Sequence, residues 1–241
     1  MIAQGGPRPA PGTLTRLYFD AMKAYDRPNA MNYRVAPGQW ASISHRDTER
    51  RVRHLSLGLA ELGLSPGDRV AIISENRPEW AIADWACLTG RMADVPIYPS
   101  LPAEQVAHPM NDSGALAVFV SGETHAAKIA AIRAQCPTLR HVITFTNELV
   151  TGADLTLSAV EARGAAVDSP ERAARWKADA LAVQPGDLAT LIYTSGTTGL
   201  PKGVMLTHDN IYSNVQGSLA RLPFDHGHEV SLSFLPLCHI F

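Results

Sequence analysis

Ten residues, Thr194-Ser195-Gly196-Thr197-Thr198-Gly199-Leu200-Pro201-Lys202-Gly203, hold three glycines, four hydroxyls and a lysine between two apolar runs. Leu191-Ile192-Tyr193 leads in and Val204-Met205-Leu206 leads out. A chain with this stretch must deliver a hydroxyl-rich bend from one apolar segment and leave it on another. Glycines let the backbone take left-handed conformations and bring its N–H groups close to a ligand. Hydroxyls add donors and the lysine adds a movable positive charge. The bend suits an anion, and the polyphosphate of a nucleotide is the best candidate.

The common nucleoside-triphosphate loop needs Gly, four residues, then Gly-Lys-Ser/Thr. Here Lys202 precedes Gly203, and Val204 follows where a hydroxyl would be required. No other stretch matches that motif, and no Gly-x-Gly-x-x-Gly occurs. This is a different phosphate loop.

The remainder of the chain alternates strand and helix patterns. Leu14, Leu17, Tyr18, Met22 and Tyr25 recur at helical spacing behind the cap Thr13. Val52, Leu55, Leu59 and Leu62 mark a second helix ended by Gly63, with Ser44 and Asp47 as its capping box. Residues 69–73, 116–120, 142–145 and 188–193 read as buried strands. Ser65-Pro66-Gly67-Asp68 is a turn, Pro78 starts a helix bearing Trp80 and Trp85, and residues 126–135 and 210–219 are helical. Pro96 places residues 95–98 at an edge or bend. Residues 151–184 read as a less regular, alanine-rich connection carrying short helices, at a subdomain boundary, and Pro109 interrupts a helix beginning near Pro102, which either ends early there or tolerates a kink. The fold class is α/β, with mostly parallel sheets flanked by helices. The expected organisation is a flexible tail at 1–12, a first α/β subdomain over 13–180, and the start of a second over 181–241.

Lys+Arg of 21 against Asp+Glu of 23 gives a net charge of -2, which argues against a dedicated nucleic-acid partner. Cys87, Cys136 and Cys238 are too scattered for a disulfide framework or zinc knuckle, so a reducing cytoplasm is expected. No run approaches the roughly 18 apolar residues of a membrane-spanning helix, so any membrane contact is expected to be peripheral, at the inner face. His226 and His228 flank Gly227 without completing a metal set, and they read as surface loop.

The stretch from Tyr193 to Val204 resembles the signature of the AMP-forming adenylating enzymes, which include acyl-CoA synthetases, luciferases and the adenylation domains of peptide synthetases. Ser74-Glu75-Asn76-Arg77-Pro78-Glu79-Trp80 and Asp94-Val95-Pro96-Ile97-Tyr98-Pro99-Ser100-Leu101 resemble the bacterial long-chain fatty-acid–CoA ligases. Leu235-Pro236-Leu237-Cys238-His239-Ile240-Phe241 resembles a following motif of the same enzymes. The resemblance runs from about Leu14 to the last residue. It implies the N-terminal portion of an adenylate-forming large domain, acting on a fatty acid with ATP, Mg2+ and coenzyme A.

On that resemblance Thr194, Ser195, Gly196, Thr197, Thr198, Gly199 and Lys202 hold the β- and γ-phosphates, and His239 lies near the acyl group and adenylate. No catalytic residue and no metal ligand is expected within the chain. The family's adenine, magnesium and ribose motifs, and its mobile domain with a catalytic lysine, lie further along. Residues 230–241 read as an apolar strand cut short, so a longer protein is expected, this polypeptide alone being inactive. An acyl-AMP ligase serving a carrier protein and a non-catalytic anion-binding module remain open. A Cys238–His239 nucleophilic pair is discounted, because neighbours on a strand point to opposite faces.

Overall fold

The computed structural model describes residues 10–194, 199–221 and 227–239. Most of the expected tail lies outside them. The first helix, α1 (Leu14–Ala24), starts where its cap predicts, with the Thr13 hydroxyl accepting from Arg16 N at 3.2 Å. An antiparallel ribbon follows, β1 (Met31–Ala36) and β2 (Gln39–Ile43). In α2 (His45–Glu61), Asp47 N donates to the Ser44 hydroxyl at 3.0 Å. The Asp47 carboxylate then takes that hydroxyl's proton bond at 2.8 Å, so only half of the expected box forms. Gly63, at φ +86°, ends the helix in the left-handed region glycine favours.

The alternating part then runs β3 (Arg69–Ile73), α3 (Pro78–Thr89), β4 (Ala93–Ile97), α4 (Ala103–Ser113), β5 (Ala117–Val120), α5 (Glu123–Ile132, continued by a 3-10 turn Arg133–Gln135) and β6 (His141–Thr144). After it come β7 (Leu155–Thr156), α6 (Leu157–Val167), α7 (Pro170–Leu181), β8 (Leu188–Thr194), β9 (Lys202–Thr207) and α8 (His208–Leu219). Seven strands form one sheet in the order β7-β6-β5-β3-β4-β8-β9. All neighbours are parallel except β9, which returns antiparallel to β8. The expected division near residue 180 falls at the end of α7, and β8 then joins the sheet beside β4.

Because side chains alternate across a strand, each inner strand feeds two cores. Val70, Ile72, Ala117, Phe119 and Ile143 meet α1, α2, α3, α6 and α7 on one face. Ala71, Ile73, Val95, Val118, Val120 and Val142 meet α4 and α5 on the other. Strands buried on both faces have no polar side to show, which is why they read as unbroken apolar runs.

Two open expectations are decided and two are corrected. Residues 151–184 carry the short helices expected of them, α6 and α7, and are more regular than a connection, since β7 joins the sheet and α6 crosses α2 at Gly58 and Gly164 so closely that a Cβ on Gly164 would stand 1.8 Å from His54 O. Of the two outcomes open at Pro109 the second holds: α4 passes through the proline, which is buried with Val106, Ala107 and Met110, so core packing offsets the lost main-chain bond. Strand β4 is interior, not an edge. Its pairing with β8 is registered at Asp94↔Thr190, two residues before Pro96, so the proline stands where that ladder has lapsed. Finally, residues 227–239 contain no strand, and Val230, Leu232 and Phe234 are exposed.

Candidate functional site: the carboxyl edge of the sheet

Parallel strands put their carboxyl ends on one edge, and the strand order reverses about β3, with β4 on one side and β5 on the other. Ligands of open α/β sheets bind in the crevice beyond such a reversal. Here Ser74 to Arg77 follow β3, Tyr98 follows β4, Ser121 follows β5, and the hydroxyl-rich loop follows β8.

The base of that loop is held firmly. Thr194 and Lys202 face each other as cross-strand partners where β8 and β9 diverge. Both are exposed, and Lys202 forms no ion pair with a described residue. Ser195, Gly196, Thr197 and Thr198 lie outside the described residues. Gly199 has φ +112°, a conformation in which a side chain would be strained. His108 on α4 donates Nε2–H to Pro201 O at 2.7 Å, and the Tyr193 hydroxyl donates to Asp112 at 2.7 Å. Burial first, and the Asp112 carboxylate second, push the Tyr193 phenol above its ordinary range, so it stays a neutral donor. Gly203 stands opposite Tyr193, and a Cβ there would be 3.0 Å from the ring. The loop thus emerges from a ribbon pinned to α4.

The other face of β8 borders a cleft of about 260 Å³. Thr190 and Ile192 line it with Trp80, Trp85, Leu237 and His239. Ile192 is two residues from Thr194, roughly 7 Å of extended chain, so one strand carries both cleft wall and loop. His239 is exposed and packs edge-on against Tyr98, ring centres 6.0 Å apart. Cys238 beside it is buried. No strand forms there, so the alternation on which the Cys238–His239 pair was discounted does not apply.

Deeper in the cleft Asp84 on α3 and Asp94 on β4 face apolar surroundings. Asp94 is 3% exposed. Burial raises its pKa to about 7, and raises that of Asp84 as well, with the Asp94 charge as second cause. Thr190 lies close enough to temper Asp94, yet its hydroxyl closes no hydrogen bond of regular geometry. The pair therefore retains a proton where isolated carboxyls would have lost theirs.

Four other histidines make contacts within the fold. His54 bonds Asp168 at 3.0 Å, His125 bonds Ser121 at 2.8 Å, His141 bonds Leu62 O at 3.2 Å, and His45 accepts from Arg27 N at 3.1 Å. No group of three or more metal-binding side chains occurs among the described residues, and His226 lies outside them. Sequence reading gave no site role to His108, Asp112, Tyr98 or the Asp84–Asp94 pair, although Asp94 and Tyr98 stand in one of the motifs that carry the family resemblance. A polar residue within an apolar strand was the only local signal for Asp94.

The family profile described as AMP-binding enzyme matches residues 20–241. The chain belongs to the AMP-binding enzyme family. It is 38% identical over 217 residues to a long-chain-fatty-acid–CoA ligase, FadD15, of Mycobacterium bovis, covering 89% of this chain and 35% of that protein. It is 30% identical over 250 residues to the peroxisomal long chain acyl-CoA synthetase 7 of Arabidopsis thaliana, covering 100% of this chain and 35% of the relative. The chain thus spans about a third of the length of these relatives. Among solved structures, the A domain of a carboxylic acid reductase from Segniliparus rugosus, in complex with AMP and a co-purified carboxylic acid, matches with a TM-score of 0.71 at 19% identity. That match covers 95% of this chain and 41% of the other and speaks for the shared fold.

Proposed function

We propose that the protein takes part in ATP-dependent activation of a long-chain fatty acid, with coenzyme A as acceptor. The fatty-acid carboxylate attacks the α-phosphate of ATP, forming an acyl adenylate and releasing pyrophosphate. The thiol of coenzyme A then attacks the acyl carbon, forming a thioester and releasing AMP. Such chemistry rests on positioning and on stabilising charge.

What carries the reading is the convergence, on one edge of the sheet, of a pinned hydroxyl-and-lysine loop and an apolar cleft ending at His239. Thr194, Gly199 and Lys202, with residues 195–198, hold the departing pyrophosphate, while His239 and the cleft receive the acyl end. Magnesium enters as the counter-ion of ATP's phosphates; the described part of the loop offers the Thr194 hydroxyl and main chain and no carboxylate for it. No helix among the described residues is long and apolar enough to cross a membrane, and we place the reaction in the cytoplasm, with peripheral contact at the membrane where fatty acid partitions. The test is fatty-acid-dependent exchange of labelled pyrophosphate into ATP by the full-length protein. Exchange with long-chain acids supports the reading, and its absence with every carboxylate from short to long overturns it.

A further inference from the structure

The two motifs Ser74 to Trp80 and Leu235 to His239 are distant in sequence, and one side chain joins them. Asn76 Nδ2 donates to Leu235 O at 2.7 Å and to Ser233 O at 3.1 Å. Its Oδ1 accepts from Leu237 N at 2.9 Å. Each end of the amide is thereby used, and the three main-chain groups belong to residues 233, 235 and 237 of the segment that ends at His239. A carboxylate of the same shape could accept from Leu237 N but could not donate to the two carbonyls.

The support beneath Asn76 is rigid. It follows the buried strand β3 and precedes Arg77, the first residue flanking α3. Arg77 donates to Ser121 O at 3.1 Å and to Glu79 at 2.7 Å, and its guanidinium stands 5.6 Å from the centre of the Phe145 ring. The segment it holds has little order of its own. Among the described residues its internal main-chain bonds are Phe234 N to Leu232 O and His239 N to Pro236 O, each 3.0 Å. Leu237 and Cys238 anchor its far end by burial. Between a fixed platform and an irregular segment, the amide acts as a three-point clamp.

We propose that Asn76 is a positioning residue that sets the approach of residues 233–239 and so the place of His239 against Tyr98 at the mouth of the cleft. This rests on the reading of His239 as part of the acyl site. The amide touches neither substrate nor reacting atoms in this assignment; it acts through the backbone it holds.

The test compares Asn76→Ala, Asn76→Asp and the unchanged full-length protein in two assays. Hydrogen exchange over residues 231–239 reads the clamp without reference to catalysis. Both variants are expected to lose protection there, while the buried strands at 69–73 and 117–120 keep theirs. Kinetics then reads the consequence. KM for fatty acid rises by roughly tenfold to a hundredfold, as expected for a small displacement of a positioning segment, and KM for ATP stays within about twofold. Asn76→Asp, which keeps only the acceptor, matches Asn76→Ala rather than the unchanged protein. Unaltered exchange at 231–239, or equal changes for both substrates, overturns the proposal. Loss of protection throughout the sheet also overturns it, since Asn76 would then be a general support. If the unchanged protein shows no fatty-acid-dependent activity, the acyl reading fails, and with it the role assigned to the clamp, even where the exchange data confirm the contact.

Discussion

Strands β5 and β9 belong to one sheet, yet all four residues of β5 are buried and none of the six in β9 is. Helices cover β5 on both faces. Strand β9 is one of the sheet's two edge strands, and its Met205 is 70% exposed. The difference separates two tasks. The inner strands supply a rigid frame whose carboxyl ends fix where Asn76 and Tyr98 stand. The ribbon and residues 227–239 carry Thr194, Lys202 and His239 on sparse packing. Functional segments are commonly drawn from the less stable part of a molecule, because they must move or admit a ligand.

The largest expected effect breaks the frame. Phe119 is fully buried and stacks on Phe145 with ring centres 5.5 Å apart. Phe119→Ala leaves a cavity between β5 and the helices and should cost about 3–5 kcal/mol. Urea denaturation checks this, and a loss under about 1 kcal/mol would mean that the inner strands are not the stable unit.

A pair of glycines sharpens the same contrast. Gly→Ala inside a helix ordinarily gains up to about 1 kcal/mol. At Gly164 the new methyl would meet His54 O at 1.8 Å and Gly58 N at 2.7 Å, both backbone. Neither can yield without parting α2 from α6, so Gly164→Ala should destabilise by about 2–3 kcal/mol. At Gly217 in α8 the nearest atom is Arg221 Nη1 at 3.7 Å, and Gly217→Ala should stabilise slightly. Opposite signs in thermal melts are the expected result.

What was legible in the sequence follows the same line. Helix starts at Thr13, Ser44 and Pro78 were readable because capping is local chemistry. The inner strands were readable because burial on both faces leaves an unbroken apolar run. Strands β1 and β2 were not, since neither has a buried residue to set a period. Helices α6 and α7 were legible only as short helices without bounds, because their many alanines set no apolar period; what fixes them is contact, at Gly164 against α2 and at Trp176 against Phe19, ring centres 5.2 Å apart. Residues 230–234 deceived in the other direction: an apolar run was read as a strand, and its large side chains are exposed. Within the site, Gly199 and Lys202 announced themselves through neighbours in the chain. The meeting of Asn76 with Leu235, 159 residues on, depends on where parallel strands end, and no local pattern encodes it.

Titration offers a third test, because the cleft's carboxyl pair and the buried His208 pull stability in opposite directions. Burial raises Asp94 to about 7, against an unfolded value near 3.9. The folded state therefore binds the extra proton, and stability falls as pH rises from about 4 to about 7. Burial lowers His208 to about 4, and its Nδ1 accepts from Leu14 N at 3.3 Å. That contribution is intact above about 6.5 and is lost as pH falls toward 4. Asp94→Asn should add on the order of 2 kcal/mol at pH 8 and nothing near pH 4, whereas His208→Asn should flatten the acid limb. Melting curves across pH 4 to 8 decide the matter, and an Asp94→Asn gain that did not grow with pH would refute the proton held in the cleft.

The smallest effect on stability belongs to the ribbon. Lys202 is exposed, and its Cα partner across the strand pair is the equally exposed Thr194. Lys202→Ala removes no buried contact and no ion pair to a described residue, so stability should stay within about 0.5 kcal/mol. Met205→Thr, further along β9 on an exposed position that favours a β-branched residue, should do the same. The two variants then part in function. Loss of the charge at Lys202 should raise KM for ATP about tenfold or more in the pyrophosphate-exchange assay, as expected for one charge-assisted contact to a phosphate worth roughly 1.5–3 kcal/mol. Fatty-acid binding should be little altered, and Met205→Thr should leave both near the unchanged values. An equal loss for ATP and fatty acid in Lys202→Ala would show that the ribbon acts by shape, and that its lysine is a solvated surface charge.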